Sequence, residues 1–418
     1  MIPECNPVLR IHRIFSSRLR FAASESMFLR YHAAVSILRV QFVSQDRERQ
    51  GNMRIAFLLT SLGIGGAERQ VVRLAERMGT RGHPVLLLVL LPPQSRQWFT
   101  TLDVHYLSMR KSIFSIPAGV LRGIRILRAF QPDLLHSHTF PANMLARLIK
   151  LALPGVKVIS TLHNVYEGGW LRRLTYRLTD GLTAASTAVS QDVAAQAIAH
   201  RIVRNCQVIA NGIDTDEFSP DPARREVLRT EVRREEFLWL AVGRLAPAKD
   251  YPNLLRAFAL LLRKTPEAVL WVAGEGALQE SLHNLVRETG IESHLRWLGL
   301  RRDLPALLSA ADGFVLASAW EGMPLVVGEA MAMEKPVVST DVGGVREWMG
   351  ETGRIVPAHD PEALAEAMCE VMHMPEALRA QMGADARQRI LREFSMESRV
   401  ERWENLYAHL FASEGSAP

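Results

Sequence analysis

Two glutamates separated by seven residues in Ser318-Ala-Trp-Glu321-Gly322-Met323-Pro324-Leu325-Val-Val-Gly-Glu329 form the densest concentration of chemically useful groups in the sequence. The apolar run Gly313 to Leu316 reads as a strand entering this loop, and Pro324, with φ preset and no N–H to lose, suits the opening of a helix. The amides of Met323, Leu325 and Val326 would then project from the helix N-terminus, an anion site suited to a diphosphate. Glu329 falls one turn into that helix on the face of Leu325, where a carboxylate can accept from both hydroxyls of a ribose. Glu321 stands in the loop, beside the point where a leaving diphosphate would meet the transferred group. Upstream, Gly243-Arg244-Leu-Ala-Pro-Ala-Lys249 follows another strand, so two cations can swing toward the same diphosphate. Two further strand-end turns, Gly274-Glu275-Gly276 and Gly299-Leu300, offer backbone for a nucleobase, although ordinary turns also need glycine.

The first half carries fewer such groups. Ser61-Leu-Gly63-Ile-Gly65-Gly66-Ala-Glu68 approaches a dinucleotide fingerprint, but Glu68 stands where the third glycine belongs. Leu91-Pro92-Pro93 also replaces the acidic residue that would bind ribose. A hydride-transfer enzyme is therefore excluded, and Gly65 and Gly66 are read as a turn closing on phosphate from the opposite half. His138 and His163 end consecutive strands and are expected at the crevice. No cysteine or carboxylate accompanies these histidines, so no metal is expected.

The elements that position these residues alternate. Apolar runs at 54–59, 85–90, 134–136, 156–162, 183–190 and 207–210 read as strands, with helices such as 67–78 and 117–129 between them. The alternation restarts with strands at 237–242, 268–273, 295–298, 313–316, 336–339 and 354–356, separated by helices at 254–262, 278–288, 304–310 and 325–333. This is the α/β pattern of parallel sheet covered by helices on both faces. Two doubly wound, Rossmann-like domains, 53–217 and 218–395, would face each other across a cleft, joined through the polar stretch 214–234, with the ligand between them.

Composition agrees with a folded protein of more than one domain: 418 residues, 48% hydrophobic and 22% charged. The three cysteines, Cys5, Cys206 and Cys369, lie far apart and exclude a disulfide framework, which points to the cytoplasm. The longest apolar run, Val85 to Leu91, is far short of the roughly 18 to 20 residues of a membrane span. Charge is uneven: residues 53–217 carry 19 Lys and Arg against 10 Asp and Glu, whereas 218–418 carry 23 against 30. Arg and Lys alternate with large apolar residues in 120–128, in 144–151 with Arg147 and Lys150, and in 170–178. That pattern predicts peripheral contact with an anionic membrane rather than nucleic acid. Residues 1–52 are Arg-rich and show no sustained pattern; they are read as a poorly ordered extension, either a targeting segment or sequence upstream of a start at Met53.

Gly65-Gly66-Ala67-Glu68, Asn211-Gly212-Ile213-Asp214, Gly243-Arg244-Leu245, Lys249, Gly274-Glu275-Gly276 and the Glu321/Glu329 pair fall in order along 53–411. In this the chain resembles the retaining nucleotide-sugar glycosyltransferases of family 4, which have the GT-B fold. The resemblance implies metal-independent transfer of a sugar, with retention and without a cofactor, from a nucleotide-diphosphate sugar to a hydroxyl acceptor. That acceptor could be a lipid-linked saccharide in bacterial polysaccharide or lipopolysaccharide synthesis at the inner face of the cytoplasmic membrane. It further implies that Glu329 holds the ribose, that Arg244 and Lys249 hold the diphosphate, and that Glu321 and His138 meet the sugar or acceptor. Residues 396–418 would form a helix crossing back to the first domain. An epimerase or hydrolase acting on a nucleotide sugar, and a non-catalytic binding protein, are the alternatives.

Overall fold

Leu, Ile and Val runs supply the strands, and a computed structural model sets them in two parallel sheets. It describes residues 52–63, 65–93, 100–110, 115–165 and 168–412; the extension expected over 1–52 lies, but for Asn52, outside the described residues. In chain order the first sheet and its helices are β1 (Ile55–Leu59), α1 (Gly66–Thr80), β2 (Val85–Val89), β3 (Val104–Tyr106), α2 (Ser115–Phe130), β4 (Leu134–His138), α3 (Phe140–Ala152), β5 (Lys157–Leu162), α4 (Trp170–Thr179), β6 (Ala185–Ala188), α5 (Gln191–Ala199) and β7 (Gln207–Val208). The second comprises α6 (Pro222–Arg229), β8 (Phe237–Val242), α7 (Tyr251–Leu262), β9 (Ala268–Ala273), α8 (Gln279–Thr289), β10 (Leu295–Gly299), α9 (Leu304–Ala310), β11 (Gly313–Leu316), α10 (Leu325–Ala332), β12 (Val337–Thr340), α11 (Val345–Met349), β13 (Arg354–Val356), α12 (Pro361–His373) and α13 (Glu376–Arg389), followed by α14 (Met396–Ala412).

Strand order is β3-β2-β1-β4-β5-β6-β7 in one sheet and β10-β9-β8-β11-β12-β13 in the other. All registered pairs, such as Ile55 with Val85 and Leu134, run parallel. Helices cover both faces, which is why β1 is buried at all five positions and reads as a continuous apolar run. The α/β alternation thus predicts the architecture correctly. Order reverses between β1 and β4 and again between β8 and β11, and at each reversal the outgoing loops diverge to leave a crevice.

Two elements depart from the sequence expectation. β3 is a three-residue, half-buried strand whose partner is β2, too short for periodicity to reveal. The stretch 214–234, expected as a linker, contains α6, held by Arg225 Nη1, which donates to the carbonyls of Ser309, Ala310 and Ala311 at 2.9–3.1 Å. The helix expected to cross back to the first domain is present as α14, which packs Val400, Trp403 and Tyr407 into the core of the first sheet with Phe57, Val71 and Leu134.

Candidate active site at the two switch points

The loop leaving β8 and the loop leaving β11 converge on a charged cluster. Lys249 Nζ pairs with Glu321 Oε1, and Ser318 Oγ donates to the same oxygen at 2.7 Å. Both charged side chains are mostly enclosed, with 21% and 14% of their surfaces exposed. Behind them the buried Tyr251 hydroxyl donates to Gly243 O at 3.0 Å; burial first, then the nearby Glu321 carboxylate, raises that phenol above its usual range. Arg244 projects from the same loop, exposed and without an ion pair among the described residues.

Adjacent turns are stitched into one wall. A Cβ on Gly274 would lie 1.9 Å from Gly243 O, so only glycine lets these backbones approach. Gly274 N donates to Gly299 O at 2.8 Å, which sets the half-buried Leu300 at the end of the row. Pro324 proves to be the residue before α10 rather than its first turn; its backbone is extended, at φ −69° and ψ 110°. α10 is buried nearly throughout, and Glu329, its one charged residue, is 2% exposed. Glu329 Oε1 pairs with Arg69 of α1, and Oε2 has no hydrogen-bond partner.

At the other switch point the chemistry is neutral. His138 ends β4 and shares a 3.0 Å hydrogen bond between its Nδ1 and Nε2 of His163, while its own Nε2 is buried without a partner. Behind it His136 lies between Tyr407 Oη at 2.8 Å and Thr161 Oγ1 at 2.7 Å. Burial, reinforced by neighbouring imidazoles, holds His136 and His138 well below the usual histidine range, and burial lowers His163 to about 4. All three are neutral at physiological pH. Thr139, next along, is β-branched at φ +70°, a strained conformation pinned by a 2.7 Å bond to Thr60 Oγ1.

The two switch points meet. A Cβ on Gly322 would lie 1.9 Å from His163 O, and Gly66 approaches the Leu325 side chain. Ser190 Oγ donates to Gly322 O at 3.0 Å, and Asn211 Nδ2 donates to Met323 O at 3.2 Å. Glu321, Gly322, Met323, Pro324, Leu325, Glu329, Lys249, His138, His163, Gly65 and Gly66 are thus drawn to one cleft, and Gly274 and Leu300 line the rim of its second half.

Comparison with known proteins decides the family. Residues 64–217 match the model described as Glycosyltransferase Family 4, and residues 225–389 match Glycosyl transferases group 1. A putative glycosyltransferase, EpsD of Bacillus subtilis, is 30% identical over 302 residues, covering 68% of this chain and 78% of that protein. The chain belongs to the family 4 glycosyltransferases. An Escherichia coli enzyme named UDP-Gal:alpha-D-GlcNAc-diphosphoundecaprenol alpha-1,3-galactosyltransferase is 25% identical over 69% of the glycosyltransferase chain and 79% of its own. Among solved structures, HepE of Anabaena in complex with UDP-glucose superposes with a TM-score of 0.74 at 22% identity, over 87% of this chain and all of that one, which establishes the GT-B fold.

Several residues that shape the glycosyltransferase cleft carry no individual signal in the sequence. Ser318 looks like any loop serine until its hydroxyl is seen on Glu321. Gly343, at φ +50°, and Gly344 pack against Glu321 O and the Met323 side chain. Glu347 accepts from Gln191 N at 2.6 Å, and its carboxyl is raised, mainly by burial. A D-x-D triplet, Asp214-Thr215-Asp216, also occurs, but both carboxylates face Arg77, at 3.2 and 3.5 Å. Among the described residues no three His, Cys, Asp or Glu side chains form a metal cluster.

Proposed function

We propose that this glycosyltransferase moves a hexose from a nucleoside-diphosphate sugar to a hydroxyl acceptor, with retention at the anomeric carbon and without a metal ion. The observation that carries this reading is the Lys249–Glu321–Ser318 cluster at the β8/β11 switch point, with the orphaned Oε2 of Glu329 on the following helix. Transfer breaks the bond between the anomeric carbon and the diphosphate oxygen and forms one between that carbon and the acceptor oxygen, whose proton passes to the departing diphosphate; negative charge grows on the leaving group on the way. Lys249, Arg244 and the N-terminal amides of α10 answer that charge. Glu321, drawn to Lys249 and Ser318, stands against the positive charge developing on the sugar. Glu329 accepts from the ribose. His138, neutral and with a free nitrogen in the opposite wall, bonds a hydroxyl of the sugar or the acceptor. The HepE complex with UDP-glucose and the galactosyltransferase named for UDP-Gal support a uridine donor. A panel of radiolabelled nucleotide sugars, scored for hydrolysis without acceptor, with product anomers assigned by NMR, tests the donor and the stereochemistry together. An inverted product, or activity abolished by chelator and restored by magnesium, overturns the reading.

We also propose that the outer face of the first sheet's helices meets an anionic membrane that presents a lipid-linked acceptor. On α4 the large apolar residues Trp170 (71% exposed), Leu171, Leu174 and Leu178 (74%) share one stripe, and it faces away from the protein. Leu121 on α2 and Leu148 and Leu151 on α3 extend the apolar surface, and Arg122, Arg125, Arg172 and Arg177 are exposed around it. Two cations expected on this face are excluded from it. Arg147 is fully buried, donating to Tyr176 O and Thr179 Oγ1 at 2.9 Å, and Lys150 donates to Pro154 O and Val156 O. The Tyr176 carbonyl on the inner side of α4 and the carbonyls just after α3 take up those donors. No helix among the described residues is long and apolar enough to cross a membrane, so the contact proposed is peripheral. Proteins named for lipid-linked acceptors among the relatives support it.

A further inference from the structure

α1 and the residue that caps its C-terminus carry arginines at every fourth position, Arg69, Arg73, Arg77 and Arg81, and each pairs with a carboxylate distant in sequence. Arg81 reaches Glu397 and Glu404 on α14, Arg77 reaches Asp214, and Arg73 reaches Glu217 at 2.7 Å. Gln70, with its amide turned to suit, donates to Gly212 O at 2.9 Å and accepts from Gly212 N at 3.0 Å. These partners lie in the two segments by which the chain passes between the sheets, 211–218 and α14. α1 is therefore fixed to the crossover on one side, and its first turn, beyond Gly65 and Gly66, extends into the cleft. There Arg69 meets Glu329, its guanidinium lying over the Phe218 ring at 5.6 Å.

We infer that Arg69 is a positioning residue for the donor: it keeps the buried Glu329 carboxylate ionised and oriented, and so makes nucleotide binding in the second half depend on a residue supplied by the first. The inference rests on the ribose role proposed for Glu329. A carboxylate 2% exposed, without a cation, takes up a proton or turns toward solvent, and a protonated acid is a poor acceptor for two ribose hydroxyls. Arg69 engages Oε1 and leaves Oε2 unpaired, which is the arrangement an incoming hydroxyl requires. Burial lowers the Arg69 guanidinium to about 10, against the opposing pull of Glu217, so it remains charged at neutral pH. Three further anchored arginines and Gln70 hold the helix that presents it, so its reach toward Glu329 is set by the crossover segments.

The test is a double-mutant cycle on the full chain, read by calorimetric titration with UDP, GDP and ADP. Arg69→Gln is expected to weaken binding of the cognate diphosphate about tenfold and to raise the donor KM with kcat and the acceptor KM little changed; Arg69→Lys should recover most of the loss. In a Glu329→Gln background the same Arg69→Gln change should cost less than about twofold, because the pair acts as one unit. Equal losses in both backgrounds, unchanged affinity, or tighter binding by Arg69→Gln would each overturn the inference. Far-UV circular dichroism and the melting temperature separate misfolding from lost positioning, and Arg287→Gln, an exposed arginine on α8 outside α1 and its anchors, should leave nucleotide affinity near wild type. If wild-type protein binds none of the three diphosphates, the underlying reading of the site fails; if it binds one and Arg69→Gln binds it equally, only the positioning role fails.

Discussion

The two switch points have the same topology and opposite electrostatics. At β8/β11 the crevice holds Lys249, Glu321 and Glu329, with Arg244 exposed on the loop that carries Lys249, whereas at β1/β4 it holds three imidazoles that burial keeps neutral. The difference matches the substrates each side would meet. A diphosphate leaving group develops charge and needs charge to meet it in an enclosed space. A hydroxyl acceptor is uncharged and is oriented by hydrogen-bonding partners, which neutral imidazoles supply. On the proposed reading one sheet topology serves two tasks, and the loops decide which.

The largest effect that would sharpen this contrast is expected at Lys249. Lys249→Ala removes a charge-assisted contact from a desolvated site and should lower kcat/KM by roughly 30- to 1000-fold, about 2 to 4 kcal/mol of transition-state stabilisation. It also leaves Glu321 with only Ser318, which adds to the loss. Full activity in that variant would break the comparison at its centre. The two glutamates should then divide by kinetic parameter. A contact present before and during transfer affects binding, so Glu329→Gln should chiefly raise the donor KM, about tenfold, whereas Glu321→Gln, nearer the anomeric carbon, should lower kcat. The assignment fails if the two effects are exchanged.

On the neutral side the expected effects fall on stability as much as on rate. Tyr407→Phe leaves His136 Nδ1 buried without its partner, at a cost of about 1 to 3 kcal/mol, readable as a lower melting temperature. The pH dependence has a definite sign. The folded pKa values of the three histidines are depressed, so below about 6.5 the unfolded chain binds protons that the folded one refuses. Their contribution is fully present above that value and is lost as pH falls toward about 4, where His163 titrates in the folded state. Denaturant midpoints measured from pH 7 to pH 4 should fall, and substituting His163 by Gln should flatten the slope. A midpoint indifferent to pH over this window would mean that the imidazoles are not held neutral.

How much of this was readable beforehand also differs between the halves. The second half declares itself because α10 and its loop compress Glu321, Pro324 and Glu329 into one short segment, where spacing along a helix fixes which groups share a face. The first half scatters its groups: His136, His138 and His163 show strand-end positions, but nothing local reveals that Tyr407, far along the chain, completes the cluster from α14. Arg69, Arg73, Arg77 and Arg81 have a visible i, i+4 spacing that reads as a solvent face, since their carboxylate partners lie on other elements. Arg147 misleads for the same reason. A cation between Leu145 and Leu148 looks outward-facing until the carbonyl of Tyr176 is found above it. Short polar elements such as α6 escape periodicity because their stability comes from tertiary contacts.

The smallest effect on catalysis, and the one that extends the contrast from the cleft to the surface, concerns α4. Among the described residues its exposed stripe of Trp170, Leu171, Leu174 and Leu178 has no counterpart on the helices of the second half, where the exposed large apolar residues, such as Val227, Trp320 and Leu378, lie apart from one another. An apolar stripe flanked by arginines binds an interface by two additive contributions. Each cation near an anionic leaflet contributes roughly 1 kcal/mol and is screened by salt, while inserted apolar side chains contribute independently of salt. Wild-type protein should sediment with vesicles containing anionic lipid at low ionic strength, release partly at high salt, and bind neutral vesicles weakly. Trp170→Ser combined with Leu178→Ser should reduce vesicle binding about tenfold or more at either salt concentration, while leaving kcat for a soluble acceptor unchanged, because both side chains are exposed on the outer stripe of α4. Arg172→Ser with Arg177→Ser should instead remove mainly the salt-sensitive part. Binding indifferent to lipid charge, or absent from anionic vesicles at low salt, would show that the stripe serves another partner and would point to an acceptor taken from solution.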